Sequence, residues 1–334
     1  MTRLSDARAG ATRPDAGRRT LDVAIPAVDA TLAATLALPA PRQAGPIPAV
    51  LLIPGSGPVD RDSNVRSMRL DVTRHLAEAF AAHGVASLRY DKRGVGASGS
   101  GDWRSVGFWD LVRDAQSALA VLASRPEIDA GRIVVLGHSE GALVATHLAA
   151  HDERVSAAVL LGASAKPGDQ VLAWQASNVA NTLPAPIRAA LRLLRVDLVA
   201  RVVKNHEKLK ATTSDVVRIG GVRTNARWFR EFIAYDPRTD LRAITVPVLA
   251  ITGAKDIQVD PHDLAAIAEL VPGPVTIECP ADVTHILRTQ PGSPSLRHYK
   301  KELKQPVDAE LTATVVQWVA QRVESPQVGC PDHG

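Results

Sequence analysis

Apolar and polar positions along this chain follow two rhythms. Short runs are apolar at nearly every position: Ala49-Val50-Leu51-Leu52-Ile53, Ile133-Val134-Val135-Leu136 and Val246-Pro247-Val248-Leu249-Ala250-Ile251. Longer segments between them repeat apolar residues at three- and four-residue spacing, as with Leu111, Val112, Ala115, Leu119 and Leu122. A strand apolar on both faces belongs inside a covered sheet, and the longer spacing marks one face of a helix. The chain opens with two β-like runs, 20–26 and 31–38, an antiparallel pair joined at Val28-Asp29-Ala30. The rhythm then predicts strand 49–53, helix 68–83, strand 85–90, helix 107–124, strand 132–137, helix 141–150 and strand 155–161. After Gly162 it breaks. Residues 168–235 show amphipathic helical segments and no buried strand. Alternation resumes with strand 246–251, helix 261–270, strand 274–279 and helix 307–323.

Strand–helix alternation with apolar strands predicts an α/β fold, a mostly parallel central sheet with helices on both faces. The expected organisation is a disordered leader over 1–19, a core over 20–164 and 241–323, a helical cap insertion over 165–240 and a flexible tail over 324–334.

The five residues Gly137-His138-Ser139-Glu140-Gly141 sit between an apolar strand and a helix. A G-x-S-x-G in that context puts the serine on a sharp turn with its hydroxyl exposed above the sheet. The glycines are needed because side chains there would crowd the serine and the following helix. A serine hydroxyl is a weak nucleophile near neutral pH. It needs a base, and the base needs an acid to hold its tautomer. In sheets of this kind the chain order is serine, acid, histidine. Asp256 lies just past the end of strand 246–252, where open parallel sheets place their sites. Asp260 is a second candidate, although Asp260-Pro261 also reads as a helix cap. His285 follows the last strand. His75, His83, His147, His151, His206, His262 and His298 fall on helices, in the insertion or on the surface. The developing oxyanion needs two backbone N–H groups, one from Glu140 and one from Ser56 or Gly57 in the loop after strand 49–53. That Gly-Ser-Gly-Pro loop lacks the spacing and lysine of a phosphate loop. The charged clusters Asp60-Arg61-Asp62 and Asp91-Lys92-Arg93 read as paired charges holding loops at strand ends.

His147-x-x-x-His151 places two rings on one helix face. Without a glutamate of the H-E-x-x-H kind it reads as a solvated helix end, so no metal is expected. Composition narrows the class further. The chain has 334 residues, is 46% hydrophobic and carries a formal charge of +4. No basic stripe with interleaved aromatics suggests a nucleic-acid partner. Two cysteines make no disulfide framework, and no apolar stretch is long enough to span a membrane, so a cytoplasmic protein is expected, with a homo-oligomer left open.

Residues 52–62 (Leu-Ile-Pro-Gly-Ser-Gly-Pro-Val-Asp-Arg-Asp), 89–98 (Arg-Tyr-Asp-Lys-Arg-Gly-Val-Gly-Ala-Ser), 137–141, 253–256 (Gly-Ala-Lys-Asp) and Thr284-His285 together resemble the α/β-hydrolase superfamily. They are most similar to bacterial esterases of the serine aminopeptidase-like and dienelactone hydrolase-like group. The resemblance covers about residues 20–323 and is weakest over 165–240. It implies Ser139 as nucleophile, Asp256 as acid, His285 as base, a small-molecule carboxylic ester as substrate and no cofactor. Dienelactone hydrolases proper use a cysteine at the elbow and dehalogenase relatives an aspartate, so the serine here argues against both activities. An aminopeptidase or thioesterase would use the same three residues. The aminopeptidase would also need a carboxylate to grip a free amine, for which the insertion offers Asp169, Asp197, Glu207, Asp215, Glu231 and Asp236. A non-catalytic ligand-binding protein of this fold would not need all three.

Overall fold

The computed structural model describes residues 19–40, 45–99, 101–181, 186, 193–194 and 197–324. The expected leader and tail lie outside these residues except for Arg19, which starts the first strand, and Glu324, which closes the last helix.

One eight-stranded sheet organises the chain, in the spatial order β1-β2-β6-β3-β7-β8-β11-β12. Strands β1 (Arg19–Ala27) and β2 (Ala30–Leu38) form the antiparallel opening pair, turning at Val28-Asp29. β2 also runs antiparallel to β6 (Ala86–Tyr90). From β6 onward β3 (Ile47–Ile53), β7 (Ile128–His138), β8 (Val155–Leu161), β11 (Val248–Ile251) and β12 (Val275–Glu278) are parallel.

The apolar strands are explained by what covers each face. Side chains of a strand alternate between faces. Leu51, Ile53, Ile133, Val135, Ala158, Leu160, Val248 and Ala250 join one core cluster with Leu119, Leu122, Leu148 and Ile267. Their neighbours Val50, Leu52, Val134, Leu136, Val159, Leu161, Leu249 and Ile251 join a second with Leu76, Phe80, Leu311, Val315 and Val319. Helices α2 (Phe108–Ala123), α3 (Glu140–His151) and α8 (Asp263–Leu270) therefore cover one face. Helices α1 (Val72–Ala82) and α9 (Ala309–Glu324) cover the other. Leu136 is fully buried, so truncating it to alanine would cost roughly 2–5 kcal/mol.

The helix expected over 68–83 begins later. Residues 64–65 (β4) and 68–69 (β5) pair as a small hairpin, and Asn64 and Asp71 close it with reciprocal 3.0 Å bonds before α1 starts.

The segment between β8 and β11 is not purely helical. It holds α4 (Gly168–Asn181), α5 (Leu198–Lys210), the antiparallel strands β9 (Val216–Ile219) and β10 (Val222–Asn225), α6 (Ala226–Ala234) and α7 (Pro237–Leu241). The hairpin turns on Gly220-Gly221, both at positive φ, a backbone shape glycine adopts without penalty. Its strands are half-buried or exposed, so the absence of an apolar run hid them. Among the described residues no helix is long and apolar enough to cross a membrane.

Candidate active site

Register brings the site together. Ile53 pairs with Gly137, His138 with Leu161, and Leu161 with Ile251. Four parallel strands thus end at one level, and their following loops meet above the sheet. The turn after β7 carries Ser139 at φ 58°, ψ −119°, an unusual conformation for a residue with a side chain. The Ser139 N–H bonds the Leu161 carbonyl at 2.8 Å, which pins the turn to β8. A Cβ on Gly137 would land on the Gly141 carbonyl. One on Gly141 would meet the Ile53 carbonyl, so that glycine serves the packing of α3 on β3 rather than clearance around the serine.

His285 Nε2 lies 3.0 Å from Ser139 Oγ, and His285 Nδ1 lies 2.7 Å from Asp256 Oδ2. An ionised carboxylate only accepts, so Nδ1 carries the proton and Nε2 is free to accept from the serine. The other oxygen, Asp256 Oδ1, accepts the N–H groups of Gln258 at 2.7 Å and Val259 at 2.9 Å. Asp256 and His285 are 5% and 6% exposed. The hydroxyl faces a cavity of about 440 Å³ with Val59, Met68, Leu70, Ile286 and Leu296 in its walls and Gly55 and Ser56 at its edge. Asp260 stands apart, pairing with Lys166 at 2.6 Å and with the backbone N–H of His262.

The sequence profile of the family described as serine aminopeptidase, S33, matches residues 68–289, more than half of the chain. The chain belongs to this hydrolase family. Esterase EstD of Thermotoga maritima is 26% identical over 286 residues, covering 84% of this chain and 64% of its own length. This chain thus spans a little under two thirds of EstD. Polyketide transferase af380 of Aspergillus fumigatus is 27% identical over 210 residues, 60% of this chain and 71% of its own. Among solved structures, Est1E from Butyrivibrio proteoclasticus aligns with TM-score 0.58 at 16% identity, over 91% of this chain and 99% of its own. The α/β hydrolase GrgF from Penicillium sp. sh18 aligns with TM-score 0.60 at 16% identity, over 92% and 100%. The fold is that of the α/β hydrolases.

In this family member the charged clusters form a connected frame around the loop after β3. Arg61 forks onto Asp91 (Nε–Oδ1 3.0 Å, Nη2–Oδ2 2.9 Å), Arg89 meets Asp62 at 2.8 Å, and Arg93 meets Asp114 at 2.8 Å. Burial pushes the Asp91 carboxyl up, and the Arg61 fork with the N–H groups of Ala97 and Arg61 more than reverses this, leaving it below the usual range. Lys92 donates to Glu140 Oε2 at 2.6 Å and to the Gly55 carbonyl at 2.6 Å. The indole N–H of Trp228, on α6, donates to Glu140 Oε1. Glu140 therefore has two parts to play: its backbone N–H opens α3, where no intrahelical acceptor exists, and its side chain ties the Gly55 loop to α6. Nothing in local sequence shows that link, because its members lie on four separate segments. Ser56 borders the cavity with Ser139 and a neighbouring one of about 330 Å³, whereas Gly57 borders only the latter.

Gly162 is a site residue the sequence pattern passes over. It sits at φ 61°, and a Cβ there would lie 3.5 Å from the His285 ring and 3.6 Å from Asp256 Oδ2. A glycine directly after an apolar strand was the available signal. His138 donates from Nε2 to the His285 carbonyl at 2.8 Å, and burial pushes its imidazole down to about 3, with the His285 ring adding to the effect. His138 is thus a neutral prop for the histidine loop. His147 and His151 form a solvated helix end only at His151, whose side chain is 47% exposed. The His147 side chain is only 19% exposed, and both rings hold Asp240, at 2.9 and 2.8 Å.

Proposed function

We propose that the protein hydrolyses carboxylic esters through an acyl-enzyme on Ser139. The observation that carries this reading is the continuous line Ser139–His285–Asp256, at 3.0 and 2.7 Å, opening into a cavity with largely apolar walls. His285 Nε2 takes the proton of Ser139 as its oxygen attacks the carbonyl, and Asp256 stabilises the imidazolium. The N–H groups of Glu140 and of Ser56 or Gly57 hold the oxyanion. The alcohol leaves with the proton from His285. Water, deprotonated by the same ring, then releases the acid. The segment 165–240 acts as a cap, with Gln175 of α4 reaching the cavity wall. At about 440 Å³ the cavity falls within the size of small-molecule sites, roughly 300–1,000 Å³.

An ester suits the cavity better than an aminoacyl amide. Among the described residues none of Asp169, Asp197, Glu207, Asp215, Glu231 and Asp236 lines the cavity that holds Ser139. Asp197 caps α5, Asp236 caps α7, and Glu231 accepts the backbone N–H of Trp109. Among the described residues, no carboxylate of the insertion therefore lines this cavity to grip a free amine.

Hydrolysis of p-nitrophenyl acetate, butyrate and octanoate by wild type and Ser139→Ala tests the reading, with alanine p-nitroanilide as the amide comparison. The expected result is ester turnover that falls by several orders of magnitude in the variant. Full activity in Ser139→Ala, or turnover of the amide alone, overturns it.

A further inference from the structure

The far end of α3 carries a second cluster, away from Ser139 at its other end. His147 and His151 are one helical turn apart and project from the same face. Their rings stack at 4.5 Å between centroids, tilted by 45°. Asp240 comes from α7, 93 and 89 residues further along the chain, and its two oxygens take one ring each: Oδ2 meets His147 Nδ1 at 2.9 Å and Oδ1 meets His151 Nε2 at 2.8 Å. The ligand atoms of the three residues all lie within 4.8 Å of one another. Two further side chains fix the set. The buried Tyr235 hydroxyl donates to Asp240 Oδ2 at 2.8 Å, and Trp109 packs edge-on against His147 at 5.3 Å.

We propose that His147, His151 and Asp240 form a zinc(II) site that joins α3 to α7, the helix that follows the insertion. Two imidazoles and one carboxylate are a borderline-soft donor set suited to zinc. A tetrahedral ion with bonds of about 2.0–2.2 Å separates its donor atoms by about 3.3 Å. The nitrogen–oxygen distances of 2.8 and 2.9 Å run to different oxygens of Asp240 and need to open by about half an ångström, while the two ring nitrogens, within 4.8 Å of each other, turn onto the same ion. Each ring moves its proton to its outer nitrogen, and the inner lone pair takes the metal. Tyr235 keeps its bond to the carboxylate and orients it, as outer-shell partners of metal ligands do. Water takes the fourth position from the side of His151, whose side chain is 47% exposed. The ion would bridge the helix that begins at the nucleophile and the segment that closes the insertion.

The test uses the full chain without an affinity tag, stripped with EDTA and dialysed, at pH 7.5. Zinc chloride is titrated calorimetrically and against a chromophoric chelator. Cobalt(II) serves as a spectroscopic probe of coordination geometry. One equivalent of zinc should bind with micromolar or better affinity. His151→Ala, at the half-exposed position, should weaken binding at least tenfold and abolish the zinc-dependent rise in Tm. His262→Ala, an exposed histidine outside the cluster, should bind as wild type does. Cobalt should give the intense visible bands of a four-coordinate site. Absence of binding at about 1 mM zinc, or equal affinity in wild type and His151→Ala, overturns the proposal. The readout is metal binding itself, so the result stands apart from the ester-hydrolase reading.

Discussion

Replacing Asp256 by asparagine isolates what the acid of the proposed mechanism does, because the surroundings dictate how the amide must sit. Asp256 Oδ1 accepts two backbone N–H groups, from Gln258 at 2.7 Å and Val259 at 2.9 Å, while Oδ2 faces His285 Nδ1 at 2.7 Å. An asparagine has one accepting end. If its oxygen serves the two N–H groups, its NH₂ points at His285 Nδ1, which must then become the acceptor. The ring proton moves to Nε2, 3.0 Å from Ser139 Oγ, and the base can no longer take the serine proton. Flipping the amide would set NH₂ against two N–H donors. Leaving those groups unsatisfied costs about 1–3 kcal/mol each, so about 2–6 kcal/mol in total. At 1.36 kcal/mol per decade, even the lower figure leaves about one molecule in thirty in the productive arrangement. The expected fall in kcat is about 10³–10⁴, or about 4–5.5 kcal/mol of barrier. KM should hold within about threefold, since uniform binding is untouched and Asp256 does not line the cavity wall. The assay is steady-state hydrolysis of p-nitrophenyl butyrate, with a thermal melt to verify folding. An Asp256→Asn protein that melts like wild type and keeps more than a tenth of kcat refutes the argument.

Lys92→Met should both destabilise the protein and slow it: Glu140 would be left as a buried carboxylate without its cation, at about 3–5 kcal/mol, and the Gly55 carbonyl would lose its anchor. Urea unfolding and kcat report the two effects, and a variant within about 1 kcal/mol of wild type would show that the pair does not hold the loop. His138 should make the protein acid-sensitive. Its folded value is about 3 against an ordinary 6.5, so between these values the unfolded chain binds a proton that the folded chain excludes. Stability is therefore unaffected above about pH 6.5 and declines as pH falls towards 3, by about 3 kcal/mol at pH 4.5. Urea midpoints across pH should show a flatter acid limb in His138→Gln, which keeps a donor for the His285 carbonyl; superimposable limbs would assign the acid sensitivity elsewhere.

The sheet was legible, and the candidate site residues could be nominated, because their signals are local or ordinal. The strand 155–161 matches its predicted bounds, since a run that is apolar apart from Ser156 is stable only when covered on both faces. Ser139 needs only its own strand, turn and helix to be recognised. Asp256 and His285 follow from chain order and from lying just past strand ends. The insertion was less legible. Its hairpin has no apolar run, and only Gly220-Gly221 between two short valine-containing stretches announces it. The start of α1 was misplaced because Asn64 and Asp71 form their hydrogen-bonded pair across a turn that periodicity does not register.

What the sequence by itself determined is therefore the layered architecture and the position of the proposed nucleophile, both consequences of residue spacing along a few turns of chain. Tertiary structure alone decided which charges met. Lys92 could have paired with several acids, and only the alignment of strand ends brings it to Glu140 and the Gly55 carbonyl. His147 and His151 lacked a third partner until the return of the chain after the insertion set Asp240 between them. Hydrophobic periodicity encodes which face of an element is buried. Polar partnerships depend on distances of about 3 Å between segments far apart in sequence, and these exist only once the core has packed.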